Sequence, residues 1–215
     1  MRTTIKPSRR RALSRLGAMA VAAAALPAQA RTAAPLVPTP SDAEGPFYPY
    51  RLPVHADADL TVVPGQPGRA SGTPLALSGR VIRTDGTPLA GVQIELWQCD
   101  ANGVYHHVNA DPASLDPRFQ GYGVIRSDPV GRYAFLTIRP VPYGGRPPHL
   151  HFKLAHPEAA PLTTQLYPRG ESAEQRGFGG FGLSGRASRA LLEFTPSAGP
   201  SDTLIANYDF VLRTG

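Results

Sequence analysis

The 215-residue chain holds one cysteine, Cys99, one tryptophan, Trp97, and two methionines. A single thiol excludes an intrachain disulfide, so a folded domain must rest on its apolar core. No apolar run is long enough to span a bilayer; the stretch from Leu16 to Leu26 is too short. No glycine-rich phosphate loop follows a strand, and no strand–helix alternation is visible, which argues against a doubly wound nucleotide-binding fold. No internal repeat is present. Beyond residue 30 even a charge excess is missing. The formal charge of +6 comes from Arg2, Lys6, Arg9, Arg10, Arg11 and Arg15, and the rest balances 16 basic against 16 acidic residues. That balance gives no basic patch and no reason to expect a nucleic-acid partner.

What is present begins with the N-terminal segment. Ser8-Arg9-Arg10-Arg11-Ala12-Leu13 carries a twin arginine ahead of the short apolar run, and Ala28-Gln29-Ala30 fits an A-x-A cleavage site. The pattern resembles a bacterial twin-arginine export signal. It implies that residues 1–30 are removed, that the mature chain starts at Arg31, and that the protein is periplasmic or extracellular without a stable membrane anchor. An ordinary secretory signal and a retained anchor are the competing readings.

Residues 31–74 read as an N-terminal arm and irregular loop. Within them Glu44-Gly45-Pro46-Phe47-Tyr48-Pro49 has the aromatic and proline content of a segment that docks over a domain. Residues 75–215 read as the folded domain. Strands are expected at Leu77–Ile82, Val92–Trp97, Gly121–Arg126, Arg132–Ile138, His149–Leu154, Thr163–Tyr167 and Tyr208–Leu212, separated by turns such as Asp85-Gly86. Residues 188–194 fit a short helix or a strand, and 177–186 form a glycine-rich loop. Short strands at regular spacing with Gly, Pro and Asp turns predict an all-β, two-sheet sandwich.

The densest chemistry lies between Tyr143 and His151. Prolines and glycines ahead of the histidines set Tyr143 and Arg146 on a stiff turning loop. Strand alternation then points His149 and His151 to one face and Leu150, Phe152 and Leu154 to the other. Two imidazoles about 7 Å apart along one strand can grip one metal ion. A bare His-x-His is also found on half-exposed strands with no metal, so its neighbours decide.

Those neighbours include Trp97-Gln98-Cys99-Asp100-Ala101-Asn102-Gly103-Val104-Tyr105, Pro140-Val141-Pro142-Tyr143, Arg146-Pro147-Pro148-His149-Leu150-His151-Phe152 and Thr164-Gln165-Leu166-Tyr167. With Gly45-Pro46-Phe47-Tyr48 ahead of them, this ordered set resembles the intradiol ring-cleavage dioxygenases of the catechol and protocatechuate 3,4-dioxygenase type. The resemblance spans most of residues 39–167. It implies one non-haem Fe(III) per chain held by Tyr105, Tyr143, His149 and His151, with an aromatic diol and O2 as substrates. Hard anionic phenolate with borderline imidazole suits a trivalent ion, and two phenolates with one hydroxide neutralise it. A diol that chelates as a dianion must shed two protons; hydroxide takes one, and Tyr143, the ligand that dissociates in the family, takes the other. Ring cleavage between the two hydroxylated carbons gives a cis,cis-muconate-type diacid.

The resemblance also gives Arg146 the task of stabilising negative charge that develops on the ring, which an always-protonated guanidinium can do. Gln165 matches a position that hydrogen-bonds near Arg146, and Pro46 and Phe47 match a loop that approaches substrate. Trp97 is expected as core packing beside the site, and Tyr133, Tyr167 and Tyr208 as sheet aromatics. His106 and His107 are expected as loop histidines near the pocket mouth. The short Gly144-Gly145 link leaves the choice among catechol, protocatechuate, hydroxyquinol or a lignin-derived diol open, as it leaves a homo-oligomer open. The alternatives are a non-catalytic transthyretin-like binding sandwich, a cupin-type metalloprotein, and an iron-retaining relative without activity.

Overall fold

Strands form where apolar and polar residues alternate most strictly. The computed structural model describes residues 34–107, 109–171, 190–198 and 202–214. The export-signal reading of 1–30 and the glycine-rich segment 177–186 lie outside the described residues. In chain order the strands are β1 (Pro74–Arg83), β2 (Gln93–Trp97), β3 (Tyr122–Arg126), β4 (Arg132–Ile138), β5 (Leu150–His156), β6 (Ala159–Pro168), β7 (Ala190–Leu192), β8 (Thr195–Pro196), β9 (Leu204–Asn207) and β10 (Phe210–Leu212). A 3-10 turn at Pro112–Ser114, capped by the Asp111 side chain, interrupts the pattern. Among the described residues no helix is long and apolar enough to cross a membrane.

Two five-stranded mixed sheets result. In the first, β1 is central. It pairs antiparallel with β4 along one side, and parallel with β9 and then β10 along the other. The chain steps from β9 to β10 across Gly79, where a Cβ would lie 1.8 Å from the Tyr208 carbonyl oxygen. Only glycine leaves room for that crossing. The second sheet runs β3-β2-β5-β6-β7.

The sheets face each other through the residues that alternation predicts. Leu75, Leu77, Val81 and Phe135 of the first sheet meet Ile94, Leu96, Leu150, Phe152, Leu154 and Leu166 of the second in one buried cluster. Phe152 touches both Phe135 and Phe210, with ring centroids 6.4 Å and 5.0 Å away. Each such side chain contributes roughly 1.5–3 kcal/mol by leaving water. This is the expected two-sheet β-sandwich.

The undecided 188–194 segment contains a strand, β7, which pairs parallel to β6. The described residues from 34 onward belong to one compact unit, so the segment 34–74 packs as part of the domain. Its loop inserts Leu60 into the core. Its arm is tied at Thr39 to Val211 and at Asp42 to Thr163 by backbone bonds of 3.0 and 2.9 Å.

Candidate functional site

The outer face of the second sheet carries the chemistry. Register aligns Tyr122 of β3, Trp97 of β2, His151 of β5 and Gln165 of β6 as successive partners in one row across four strands. Inward alternation commits Leu96, Leu150, Phe152 and Leu166 to the core, so Trp97, His151 and Gln165 must face the other way. His149, one residue ahead of β5, joins His151 there. The two Nε2 atoms lie 3.0 Å apart.

Two loops bring the phenols over this row. Beyond β2 the chain turns at Asp100, whose buried carboxylate accepts from the backbone of Asn102, Val104 and Asp116. That loop delivers Tyr105, whose Oη lies 3.5 Å from His149 Nε2. The second loop is a tight turn closed by Arg146 N–H donating to Tyr143 O at 2.7 Å. Gly144 and Gly145 hold φ of 50° and 78°, the positive values that a type I′ turn needs at both central positions. Tyr143 and Arg146 therefore sit opposite each other. The Tyr143 ring is 4.9 Å from Tyr105 and 5.5 Å from His149 by centroid.

Aromatic rings back the donors. Phe47 stacks on Tyr105 at 4.8 Å and meets Tyr143 edge-on, while Trp97 stacks on His151 at 4.8 Å. Trp97 thus packs against a candidate ligand instead of the inter-sheet core, in a second cluster with Cys99, Tyr105 and Tyr122. Pro46 is exposed beside Phe47. The segment carrying both is fastened by Tyr48 Oη donating to Glu95 at 2.7 Å and by the Lys153–Glu44 ion pair at 2.7 Å.

Burial sets the protonation states. His149 is pushed down to about 4, mainly by burial, against a smaller upward pull from the Pro147 carbonyl. Its Nδ1 lies 2.8 Å from that carbonyl oxygen. A carbonyl only accepts, so Nδ1 carries the proton and Nε2 keeps its lone pair. Burial and the His149 charge drive His151 well below its ordinary value. Burial also raises Tyr105 well above the usual phenol range, with the Tyr143 charge adding to it and Arg146 opposing. Such a phenol ionises near neutral pH only when a cation stands beside it.

Among the described residues no group of three or more His, Cys, Asp or Glu could hold a metal, so any metal here needs the phenols. The donor set fits one. Two imidazole nitrogens bound about 2.1 Å from one ion and at right angles lie about 3 Å apart, which is the Nε2–Nε2 separation observed. The imidazoles are neutral, and the Tyr105 oxygen lies 3.5 Å from one of them.

Arg146 reaches this cluster from the side. Its Nη2 donates to Gln165 Oε1 at 2.9 Å and lies 3.4 Å from Tyr167 Oη. The Gln165 amide is oriented by donating to Ala43 O at 2.6 Å. Tyr167 is the buried sheet aromatic expected, on β6, and it also reaches the site: its ring packs 5.7 Å from His149, and its hydroxyl bonds to Gln165 at 2.7 Å and to Asp42 at 3.2 Å. His106 and His107 flank Tyr105 without joining the donor set. His107 contacts Phe47 and the exposed Tyr50, and His106 packs on Phe119.

A match to the family described as Dioxygenase covers residues 43–146. The beta chain of protocatechuate 3,4-dioxygenase from Burkholderia cepacia is 39% identical over 124 residues, 54% of this chain and 53% of that one. The solved dioxygenase domain of a dioxygenase–carbohydrate-binding protein fusion from Streptomyces sp. SirexAA-E aligns over 83% of this chain and 100% of its own, at 31% identity and a TM-score of 0.62. The structure of 3-chlorocatechol 1,2-dioxygenase from Rhodococcus opacus 1CP aligns over 81% of this chain and 72% of its own, at 27% identity and a TM-score of 0.63. The chain spans about half the length of the curated relatives it matches, 53% and 47% for two of them. With the fold in common and 31% identity across the whole of the Streptomyces dioxygenase domain, the chain belongs to the intradiol dioxygenase family.

Proposed function

We propose that the protein cleaves a catechol-type aromatic diol with O2 between its two hydroxylated carbons, using one Fe(III) held by Tyr105, Tyr143, His149 and His151. The observation that carries this reading is the pair of neutral imidazole nitrogens 3.0 Å apart, with the Tyr105 hydroxyl 3.5 Å from one of them. When bound, a ferric ion supplies Lewis acidity and draws electron density from the diol toward attack by O2.

The chain's own residues divide the remaining work. Tyr105 is buried, with the Phe47 ring stacked on its own. Tyr143 is half-buried on the Gly-Gly turn, less enclosed than Tyr105. Its phenolate oxygen is therefore the acceptor for one proton of the incoming diol, while Tyr105 stays in place. Arg146 offers guanidinium N–H groups to negative charge that builds on the ring, with Gln165 holding its Nη2. Pro46 and Phe47 wall the substrate on the arm side, and Trp97 keeps the His151 ring from tilting. The product is a cis,cis-muconate-type diacid. The Arg-rich N-terminal segment supports export through the twin-arginine route as part of the same reading.

Oxygen uptake by the iron-loaded protein on catechol, protocatechuate and hydroxyquinol tests the activity and narrows the substrate. The loaded protein should be red to burgundy from phenolate-to-iron charge transfer, and Tyr105→Phe and Tyr143→Phe should each alter that band. A colourless protein that binds no iron after reconstitution would sink the reading.

A further inference from the structure

A line of polar groups runs from the N-terminal arm to Arg146. Asp42 Oδ2 accepts from Tyr167 Oη at 3.2 Å, and Tyr167 Oη lies 2.7 Å from Gln165 Oε1. Gln165 Oε1 in turn accepts from Arg146 Nη2 at 2.9 Å, and Tyr167 Oη is itself 3.4 Å from that nitrogen. Tyr167 is fully buried and Gln165 nearly so, whereas Asp42 and Arg146 are half-buried at the two ends. Among the described residues no carboxylate pairs directly with Arg146; Asp42 is the carboxylate in its hydrogen-bonded set, one hydroxyl away.

The proton count makes this arrangement specific. One N–H of the Gln165 amide donates to Ala43 O, which orients its oxygen toward Arg146. Tyr167 has one hydroxyl proton, and among the described residues Gln165 Oε1 and Asp42 Oδ2 both lie within its reach as acceptors. A proton drawn toward the carboxylate frees a tyrosine lone pair for the guanidinium and leaves the glutamine oxygen to Arg146. Replacing either Asp42 or the Tyr167 hydroxyl would loosen one end of the guanidinium's cradle.

We infer that Asp42 and Tyr167 are positioning residues for Arg146: the arm supplies its counter-charge through the Tyr167 hydroxyl and so fixes where the guanidinium meets the reacting ring. This rests on the reading of Arg146 given under Proposed function. It makes residues 42–43 of the arm a working part of the site rather than a covering strand.

Tyr167→Phe keeps the ring against His149 and removes only the hydroxyl, and Asp42→Asn keeps the shape and removes the charge. In the iron-loaded enzyme each should lower kcat roughly fivefold or more while the KM for the diol moves less than about twofold. Iron content and the visible band should stay as in the parent protein. In an Arg146→Ala background neither change should lower kcat further, because residues that act through one partner are not additive. A readout independent of turnover follows phenylglyoxal modification of Arg146 by peptide mass, with Arg69 as internal reference. Arg146 should react roughly threefold faster in both variants while Arg69 is unchanged. An unchanged Arg146 rate in both, or a kcat penalty that persists without Arg146, overturns the inference. If the parent protein turns over no diol, the functional reading fails, and the modification rates still decide this one.

Discussion

The two faces of β5 (Leu150–His156) follow opposite rules. Inward, Leu150, Phe152 and Leu154 pack in an apolar cluster where each side chain is interchangeable in kind, if not in volume. Outward, His149 and His151 are as deeply buried, yet among the described residues His151 Nδ1 and the neighbouring Trp97 Nε1 find no hydrogen-bond partner. Each orphaned polar atom costs about 1–3 kcal/mol, so the outer layer is kept at the expense of stability. One strand thus separates residues that hold the fold from residues that weaken it and carry chemistry.

Single changes on the two faces should separate cleanly. The largest effect is expected from His149→Ala, which should abolish iron binding and oxygen uptake while the metal-free protein melts at or near the parent temperature. Metal analysis and a thermal melt check both halves, and a fully loaded variant would break the contrast. Phe152→Ala, on the inward face, should cost about 3–5 kcal/mol by opening a cavity between the sheets, read by denaturant titration of the metal-free protein, with residual folded protein still binding iron.

Acid should act on the outer layer first. Burial lowers His149 from 6.5 to about 4 in the folded state, so the unfolded chain binds more protons between those values and stability falls as pH drops through that window. Above about pH 6.5 the contribution is complete. Asp116 acts lower: burial alone would raise it, but bonds from Ser71 and Arg118 hold it down to about 2, so its share is lost only below 3.8. Thermal melts of metal-free protein from pH 7 to 4 should show the first decline, and the double variant His149→Ala with His151→Ala should flatten it. Tyr48→Phe should cost about 1–3 kcal/mol by leaving the buried Glu95 carboxylate short of a donor. Smallest of all, Arg80→Ala breaks an exposed pair with Asp209 and should change stability by less than about 1 kcal/mol.

The inward face was legible because alternation reports it directly. Arg132–Ile138 forms as expected from sequence, and Val92–Trp97 differs by a single residue. Short strands whose existence depends on a distant partner were not legible: Leu204–Asn207 pairs parallel to β1 across more than a hundred residues, and nothing local signals it. In the site, His149 and His151 were readable as same-face neighbours. Tyr167 could have been found by the same parity, since Gln165 is the register partner of His151 and Tyr167 lies two residues on. Asp42 and Ala43 had no such signal, because the arm has no period and their roles arise from where docking leaves them.

That docking has a temporal side. Thr39 exchanges bonds with Val211, its N–H donating to the Val211 carbonyl at 3.0 Å and its hydroxyl accepting the Val211 N–H at 2.9 Å. The arm leaves the ribosome well before the strand it clasps, since Thr39 and Val211 are 172 residues apart. Until β10 emerges, Thr39 lacks its clasp, Asp42 and Phe47 are less firmly moored, and the candidate site stays unfinished. Weakening that clasp, as in Thr39→Val, should therefore impair ring cleavage at a distance, without touching any group proposed to meet the substrate.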